Sequence, residues 1–465
     1  MTTADIVTAQ RRHFTSGATR NARERKNQLR LLKRVVIANE HALLDALAVD
    51  LGKPRLEAVT SELVGVVAEI DRMIAAAASA LREHRVRTPL VIRPGRSFAA
   101  RDPYGSVLII GPWNYPVNLT LVPVAAAIAT GNTVVVKPSE LAPRTAAVIE
   151  TVINNAFAPE ALRVVTGNAD TASDLLNQQF DLIFYTGGTT VGRIVARAAA
   201  KRLIPTVLEL GGKNPCIVEH GVAPRLAARR IAFGKFFNAG QTCIAPDTLL
   251  VDERIRDDLI SELETTITRF YGGDPRASDS YGRIVNDHHF ARLVAMLDGA
   301  AILSGGRFDV AERYIEPTIV DVRPAAAGQA DRIDTPLLDD EVFGPILPVL
   351  TFGNRDELGE IMKLFPTPLA LYAFSRDRVF LDLLRRTYRA GSYVWNDTFS
   401  HIVNAHLPFG GVGTSGHGSY RGEESLRAFT RPAGVFCRGT WYDPSLRYPP
   451  YAHRATEAIR RLLLR

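Results

Sequence analysis

Three cysteines occur in the sequence, and one of them, Cys243, stands where a thiol could do chemistry. It lies in NAGQTCIAP, residues 238–246, where small and polar neighbours suit an accessible loop on which a thiolate can form and attack an electrophilic carbon. Cys216 and Cys437 lie in apolar, strand-like runs and read as buried and inert. Glu209 opens ELGGK, a carboxylate at a strand end with two glycines leaving room beside it. Such a glutamate is more often solvated or paired, but across a pocket from Cys243 it could act as general base toward water. Asn114 lies in PWNYP, after the apolar run VLIIG. On its own the segment is a rigid turn, yet an asparagine held between two prolines can aim its amide at a developing oxyanion.

A fourth segment could take a phosphate. In DLIFYTGGTTVG a strand of β-formers ends at Thr186, Gly187 and Gly188 turn the chain, and Thr189 or Thr190 opens a helix. Backbone N–H groups and a helix N-terminus at a strand end suit a pyrophosphate, although an ordinary βα turn looks the same. GVGTSG at residues 411–416 matches the dinucleotide pattern G-x-G-x-x-G letter for letter, but it follows HLPFG rather than a strand. It reads as a structural loop. His288 and His289 lack partners at ligand spacing, so no metal site is expected.

These segments need a scaffold. Over residues 5–81 apolar positions recur at helical spacing, as in Leu29, Leu32 and Val36 and then Leu43, Leu44 and Leu47. Two prolines break the pattern at 88–94, and strand-like runs at 97–100 and 106–110 straddle DPYG, as a β-hairpin or a strand change. From 106 to 210 short β-branched runs alternate with helical stretches. That alternation predicts parallel β-α-β units with a cofactor at the carboxyl ends of the strands. A second alternating block runs from 213 to about 396, and a glycine-rich stretch precedes a last strand, GVFC. The expected fold class is α/β.

The chain has 465 residues, too many for one core, which stops growing at roughly 250–300 residues. A composition of 46% hydrophobic and 23% charged residues excludes wholesale disorder. The net charge of +7 is spread along helix faces and mixed with acidic residues. It argues against a nucleic-acid role and suits an anionic cofactor. Three cysteines without a C-x-x-C pair point to a reducing cytoplasm. The N-terminus lacks the apolar core of a signal peptide, and no apolar run reaches the roughly 20 residues of a membrane span. The tail ATEAIRRLLLR is basic and mildly amphipathic, and is expected to be a docking helix rather than an anchor.

Taken in order, PWNYP, KPSE at 137–140, YTGGTTVG, ELGGK, GQTC, EVFGP at 341–345 and PFGG resemble the aldehyde dehydrogenase superfamily along nearly the whole chain. PFGGVGTSGHGSYRG and the ending RYPPY resemble its class 3, which acts on medium-chain, fatty and aromatic aldehydes; bacterial coniferyl-aldehyde-type enzymes are also similar. The resemblance implies a Rossmann-like cofactor domain (1–84 and 104–210), an α/β catalytic domain (211–397), a small β bridging and oligomerisation arm (85–103 and 398–440) and a tail (441–465), in a cytoplasmic homodimer. It implies that Cys243 attacks the aldehyde, that Asn114 and the backbone N–H of Cys243 hold the oxyanion, and that Glu209 activates the water that hydrolyses the resulting thioester. Lys137 and Glu140 would face the adenosine ribose, Trp113 would join the cofactor contacts, and Gly187, Gly188, Thr189, Thr190, Val191 and Gly192 would approach the pyrophosphate. Glu341 and Phe343 would hold the nicotinamide ribose. A carboxylate at Glu140 can accept from both ribose hydroxyls and would repel a 2′-phosphate, so NAD is the first choice, with NADP tolerated through Lys137.

Tyr115, Phe233, Phe237 and Ile244 are expected to line an apolar aldehyde tunnel. The sequence departs from the family at Gly188, often serine, and at Phe233, often tryptophan in class 3. Two other readings are weaker. Acyl transfer to coenzyme A or a mainly esterase activity is opposed by Glu209, which acylating relatives generally lack. A non-catalytic scaffold is opposed by the presence of Cys243, Asn114 and Glu209 together.

Overall fold

The structure is a computed structural model that describes residues 1–322, 335–451, 456–457 and 460–461. Much of the tail expected to dock as a helix therefore lies outside the described residues. The opening segment is helical, and its ends follow from local chemistry. Helix Thr3–Thr15 starts with a capping box, the Thr2 hydroxyl accepting from the Asp5 N–H while the Asp5 carboxylate accepts from the Thr2 N–H. The Asn21 side chain caps Ala22–Ala38 by accepting from the N–H groups of Arg23 and Glu24, and Glu40–Leu51 ends at Gly52, whose φ of 55° is left-handed. After Arg55–Ala58 the chain winds as a π-helix over Val59–Val64 and returns to α over Gly65–Ala76.

Helix Asn118–Ala129 is buried at every position. Its start is tied to the opening segment by Glu62, whose Oε2 accepts from the N–H groups of Val117 (3.1 Å) and Asn118 (2.9 Å). Glu62 Oε1 accepts from Lys53 Nζ at 2.6 Å, and both side chains are fully buried. Removing one partner of such a pair strands the other and costs about 3–5 kcal/mol.

Among the described residues, one six-stranded sheet has the order Gly416–His417, Thr206–Leu210, Leu182–Gly187, Ser106–Ile110, Thr133–Lys137, Leu162–Val164. Its pairs are parallel except for the short edge strand Gly416–His417. A seven-stranded sheet is built from the second alternating block, in the order Ala301–Ser304, Thr318–Asp321, Ile346–Phe352, Thr248–Asp252, Pro215–Val218, Ala370–Phe374, Ser392–Trp395. Here Ala301–Ser304 runs antiparallel and the rest parallel. The strands in the middle of both sheets are buried on both faces, which explains why they read as continuous β-branched runs rather than as alternation.

The turn DPYG is a strand change. Gly95–Pro103 joins His84–Val86 and Thr430–Arg438 in a three-stranded sheet, whereas Ser106–Ile110 is central in the six-stranded one. The chain divides into two compact units, residues 1–80 with 103–430, and residues 81–102 with 431–465. Residues 398–430 thus fall within the larger unit, which also contains both large sheets. Cys216 is buried in its strand as expected. Cys437 is exposed, because the strand Thr430–Arg438 covers only some of its side chains. Its apolar neighbours had suggested burial.

Candidate active site

Four of the segments singled out in the sequence leave the carboxyl ends of four adjacent parallel strands. Thr186 is in register with Glu209, Tyr185 with Ile110, and Ile110 with Lys137. The glycine turn, ELGGK, PWNYP and KPSE therefore emerge side by side, at the edge where an open α/β sheet binds ligands.

The glycine turn has the shape its sequence suggests. Strand Leu182–Gly187 passes into helix Thr189–Ala200 with Gly188 as N-cap in extended geometry, which leaves the first helical N–H groups open to an anion. A Cβ at Gly188 would have nothing within 4 Å, so the position has room for the side chain that it lacks. At Gly192 a Cβ would come to 2.6 Å from Leu210 Cδ2, so a larger residue there would have to displace the Leu210 side chain on the strand carrying Glu209. Thr190 and Val191 lie in the exposed first turn of that helix. Lys137 is buried and paired with the half-exposed Glu140. GVGTSG forms a short turn and the edge strand Gly416–His417, with Gly416 opposite Glu209, away from any β-to-helix phosphate turn.

Cys243 is half-buried on the loop between helix Pro224–Phe236 and strand Thr248–Asp252. The approach to it is strained. Asn238 and Ala239 have φ of 54° and 51°, and Gly240 follows at 74°. Non-glycine residues stay there only when their surroundings hold them. Asn238 Nδ2 donates to the carbonyls of Asn114 (3.1 Å) and Gln241 (3.2 Å). Gln241 in turn donates from Nε2 to the carbonyls of Asn238 and Arg283 and accepts from the Val285 N–H. Downstream, Asn214 Nδ2 donates to the carbonyl of Cys243 at 2.8 Å, and the Tyr372 hydroxyl to that of Ile244 at 2.5 Å.

Asn114 and Tyr115 reach this loop from the first sheet. Asn114 Nδ2 donates to the Gln241 carbonyl at 3.0 Å, its second N–H having no partner among the described residues, and the Tyr115 hydroxyl lies 2.6 Å from Thr242 Oγ1. Glu209 is buried, and neither of its carboxylate oxygens has a hydrogen-bond partner among the described residues. Burial holds its carboxyl well above the usual carboxylate range, opposed by the positive charge of Arg421. The Cys243 thiol is pushed up to about 12 by burial first and then by the charges of Glu341 and Glu209. All three groups therefore share one electrostatic environment.

Glu341 leans over Gly211, where any side chain would overlap its carboxylate. Burial and Asp247 raise its carboxyl to about 8, against the Gly212 N–H, Lys213 and Lys235. Its loop is fastened by Asp247, which accepts from the Val342 N–H (2.8 Å) and from Lys213 Nζ (2.6 Å). Phe343, at φ 47°, meets the Trp113 ring edge-on at 5.4 Å. The His289 ring also packs on Trp113, tilted at 5.2 Å, and no group of three or more metal-ligating side chains occurs among the described residues.

Phe233 and Phe237 pack edge to face at 5.4 Å, joined by Phe399 at 6.1 and 5.1 Å. Phe233 is 46% exposed while Phe237 and Ile244 are buried, so the cluster runs from the surface inward. Phe399 carries a φ of 65°. It was missed in the sequence, as were Asp247, Gln241 and Arg421, because what recruits each of them is a contact with a distant segment.

Two mainly parallel sheets, with a thiol loop, a carboxylate and an amide placed near their strand ends, define an α/β protein with a candidate active site at that edge. The profile of the aldehyde dehydrogenase family matches residues 2–435, and the chain belongs to that family, an oxidoreductase acting on aldehydes. It is 42% identical over 448 residues to aldehyde dehydrogenase family 3 member B1 of Mus musculus, covering 96% of this chain and 94% of the relative. To the 4,4'-diaponeurosporen-aldehyde dehydrogenase of Staphylococcus aureus it is 40% identical over 440 residues, 94% of each. The substrate-bound structure of Staphylococcus aureus AldH superposes with a TM-score of 0.94 at 38% identity, covering 98% of both chains.

Proposed function

We propose that the protein oxidises apolar fatty or aromatic aldehydes to carboxylic acids with NAD, using Cys243 as nucleophile, Asn114 as oxyanion donor and Glu209 as general base. The observation that carries this reading is the convergence of those three groups, with Glu209 buried and both of its oxygens unpartnered. The Cys243 sulfur attacks the carbonyl carbon as its proton is lost to water, and the developing oxyanion takes hydrogen bonds from the second N–H of Asn114 Nδ2 and the Cys243 N–H. Collapse of that adduct by hydride loss leaves a thioester on Cys243. Glu209 then takes a proton from water as the water attacks the thioester, the C–S bond breaks to release the acid, and the proton passes back to the Cys243 sulfur, restoring the thiol and the Glu209 carboxylate.

The residues fit a nicotinamide dinucleotide. An open helix N-terminus at Gly188, the buried hydroxyl of Thr186, which has no hydrogen-bond partner among the described residues, and the carboxylates of Glu140 and Glu341 match phosphate and ribose groups. When bound, that cofactor supplies the hydride acceptor. Lys137 engages Glu140, and the resulting carboxylate suits ribose hydroxyls better than a 2′-phosphate.

Among the described residues no helix is long and apolar enough to cross a membrane. We read the protein as a cytoplasmic homodimer, supported by the cysteine usage and by apolar residues of the smaller unit left open, Leu90, Val91 and Trp441 at 78%, 77% and 79% exposure. Light scattering tests the dimer.

The assay is purified protein with NAD or NADP and hexanal, benzaldehyde or a cinnamaldehyde, followed at the reduced-nicotinamide absorbance. Silence with every aldehyde would sink the reading. Asn114→Ala is expected to lower kcat about 10²- to 10³-fold, the usual scale for one oxyanion donor. Unchanged cofactor binding in the same variant checks that the fold is intact. Phe233→Ala is expected to raise KM for a long-chain aldehyde roughly tenfold with little change in kcat, since the ring supplies binding common to ground and transition state. An equal KM for long and short aldehydes would remove Phe233 from the tunnel.

A further inference from the structure

We propose that Lys53, Glu57 and Glu62 form a positioning clamp that sets the aim of Asn114 and the left-handed turn before Cys243. The inference rests on the reading of the site given above. The Asn114 carbonyl is gripped from two sides, by Lys53 Nζ at 2.9 Å and Asn238 Nδ2 at 3.1 Å. With the backbone of Asn114 held in this way, its side-chain amide is presented to the Gln241 carbonyl, two residues before Cys243, at 3.0 Å. Lys53 is itself fixed by Glu62 at 2.6 Å and lies 4.1 Å from the centre of the Tyr115 ring.

Glu57 acts on the other arm. Its Oε2 accepts from the backbone N–H of Asn238 at 2.9 Å, at the first of the residues with left-handed backbone. Asparagine tolerates that conformation but Ala239 does not favour it, and an external acceptor on the Asn238 N–H helps to hold the turn in one place. Glu62 closes the clamp by accepting from the N–H groups of Val117 and Asn118, just beyond PWNYP.

All three side chains come from one short stretch that includes the π-helical turn Val59–Val64, a distortion that recurs at functional sites. None of the three is a catalytic residue. They act through Asn114 and Asn238, as a supporting shell does when a small misplacement of reacting groups lowers rate steeply.

Because Lys53→Met strands Glu62 in the core, the deciding variants are Glu57→Ala and Glu57→Gln, of which only the second keeps an acceptor oxygen. With hexanal and NAD, Glu57→Ala is expected to slow the burst of reduced cofactor about tenfold with KM within about twofold of the parent, while Glu57→Gln stays within about twofold in both. Backbone hydrogen exchange over residues 237–243 should accelerate in Glu57→Ala and not in Glu57→Gln. A parental burst in Glu57→Ala, equal loss in both variants, or unaltered exchange overturns the clamp. If the parent protein itself turns over no aldehyde, the catalytic reading fails, and the exchange measurement, which needs neither aldehyde nor cofactor, decides the clamp alone.

Discussion

Cys243→Ala is expected to lose aldehyde oxidation by about 10⁴-fold or more while binding NAD with the affinity of the parent, because removal of a covalent nucleophile leaves only binding and oxyanion donors. The substitution is sterically mild. Cys243 makes its hydrogen bond to Asn214 through its carbonyl, and the turn before it is held by Asn238, Gln241 and Glu57, none of which involves the thiol. A stable, cofactor-binding and inactive variant is the expected outcome, checked by steady-state turnover beside a cofactor titration. Turnover near the parental rate would mean that some other group attacks the aldehyde.

Glu209→Gln separates the two halves of the reaction. Attack and oxyanion binding do not use the carboxylate, so a burst of reduced cofactor should persist, while the steady rate should fall about 10²- to 10³-fold as the thioester waits for unassisted water. The sign of the pH dependence follows from the environment of Glu209. Burial raises its carboxyl, and only the ionised form can take a proton from water. Deacylation should therefore slow as pH falls below that raised value and level off above it, and the Gln variant should lose this limb. A normal steady rate in Glu209→Gln would hand the role to another base.

The motifs were legible in the sequence because each carries its own local reason. Two glycines and a threonine make a strand-to-helix turn wherever they follow β-formers, and an asparagine between prolines is rigid in any setting. Which strands lie next to one another is a property of the sheet, and the register of Thr186 with Glu209 cannot be read from either segment alone. Glu209 was ambiguous for that reason, since a strand-end carboxylate becomes informative once burial without a partner is known. Lys53, Glu57 and Glu62 were invisible for a related one. They are charged residues in a helical segment full of charges, and their partners lie in segments far along the chain. Cys437 misled because an apolar run does not say which side of a strand is covered.

The high threshold for ionising Cys243 bears on how the molecule fares when idle. Oxidants and alkylating agents attack the thiolate, and burial, ahead of the nearby Glu341 and Glu209, pushes the Cys243 thiol up to about 12 and so disfavours that form. The free enzyme should then outlast an ordinary exposed cysteine in dilute peroxide, with activity loss accelerating as pH rises. Rapid inactivation at pH 7 would contradict it. On the proposed mechanism, such durability would be a by-product of the same burial that raises the Glu209 carboxyl.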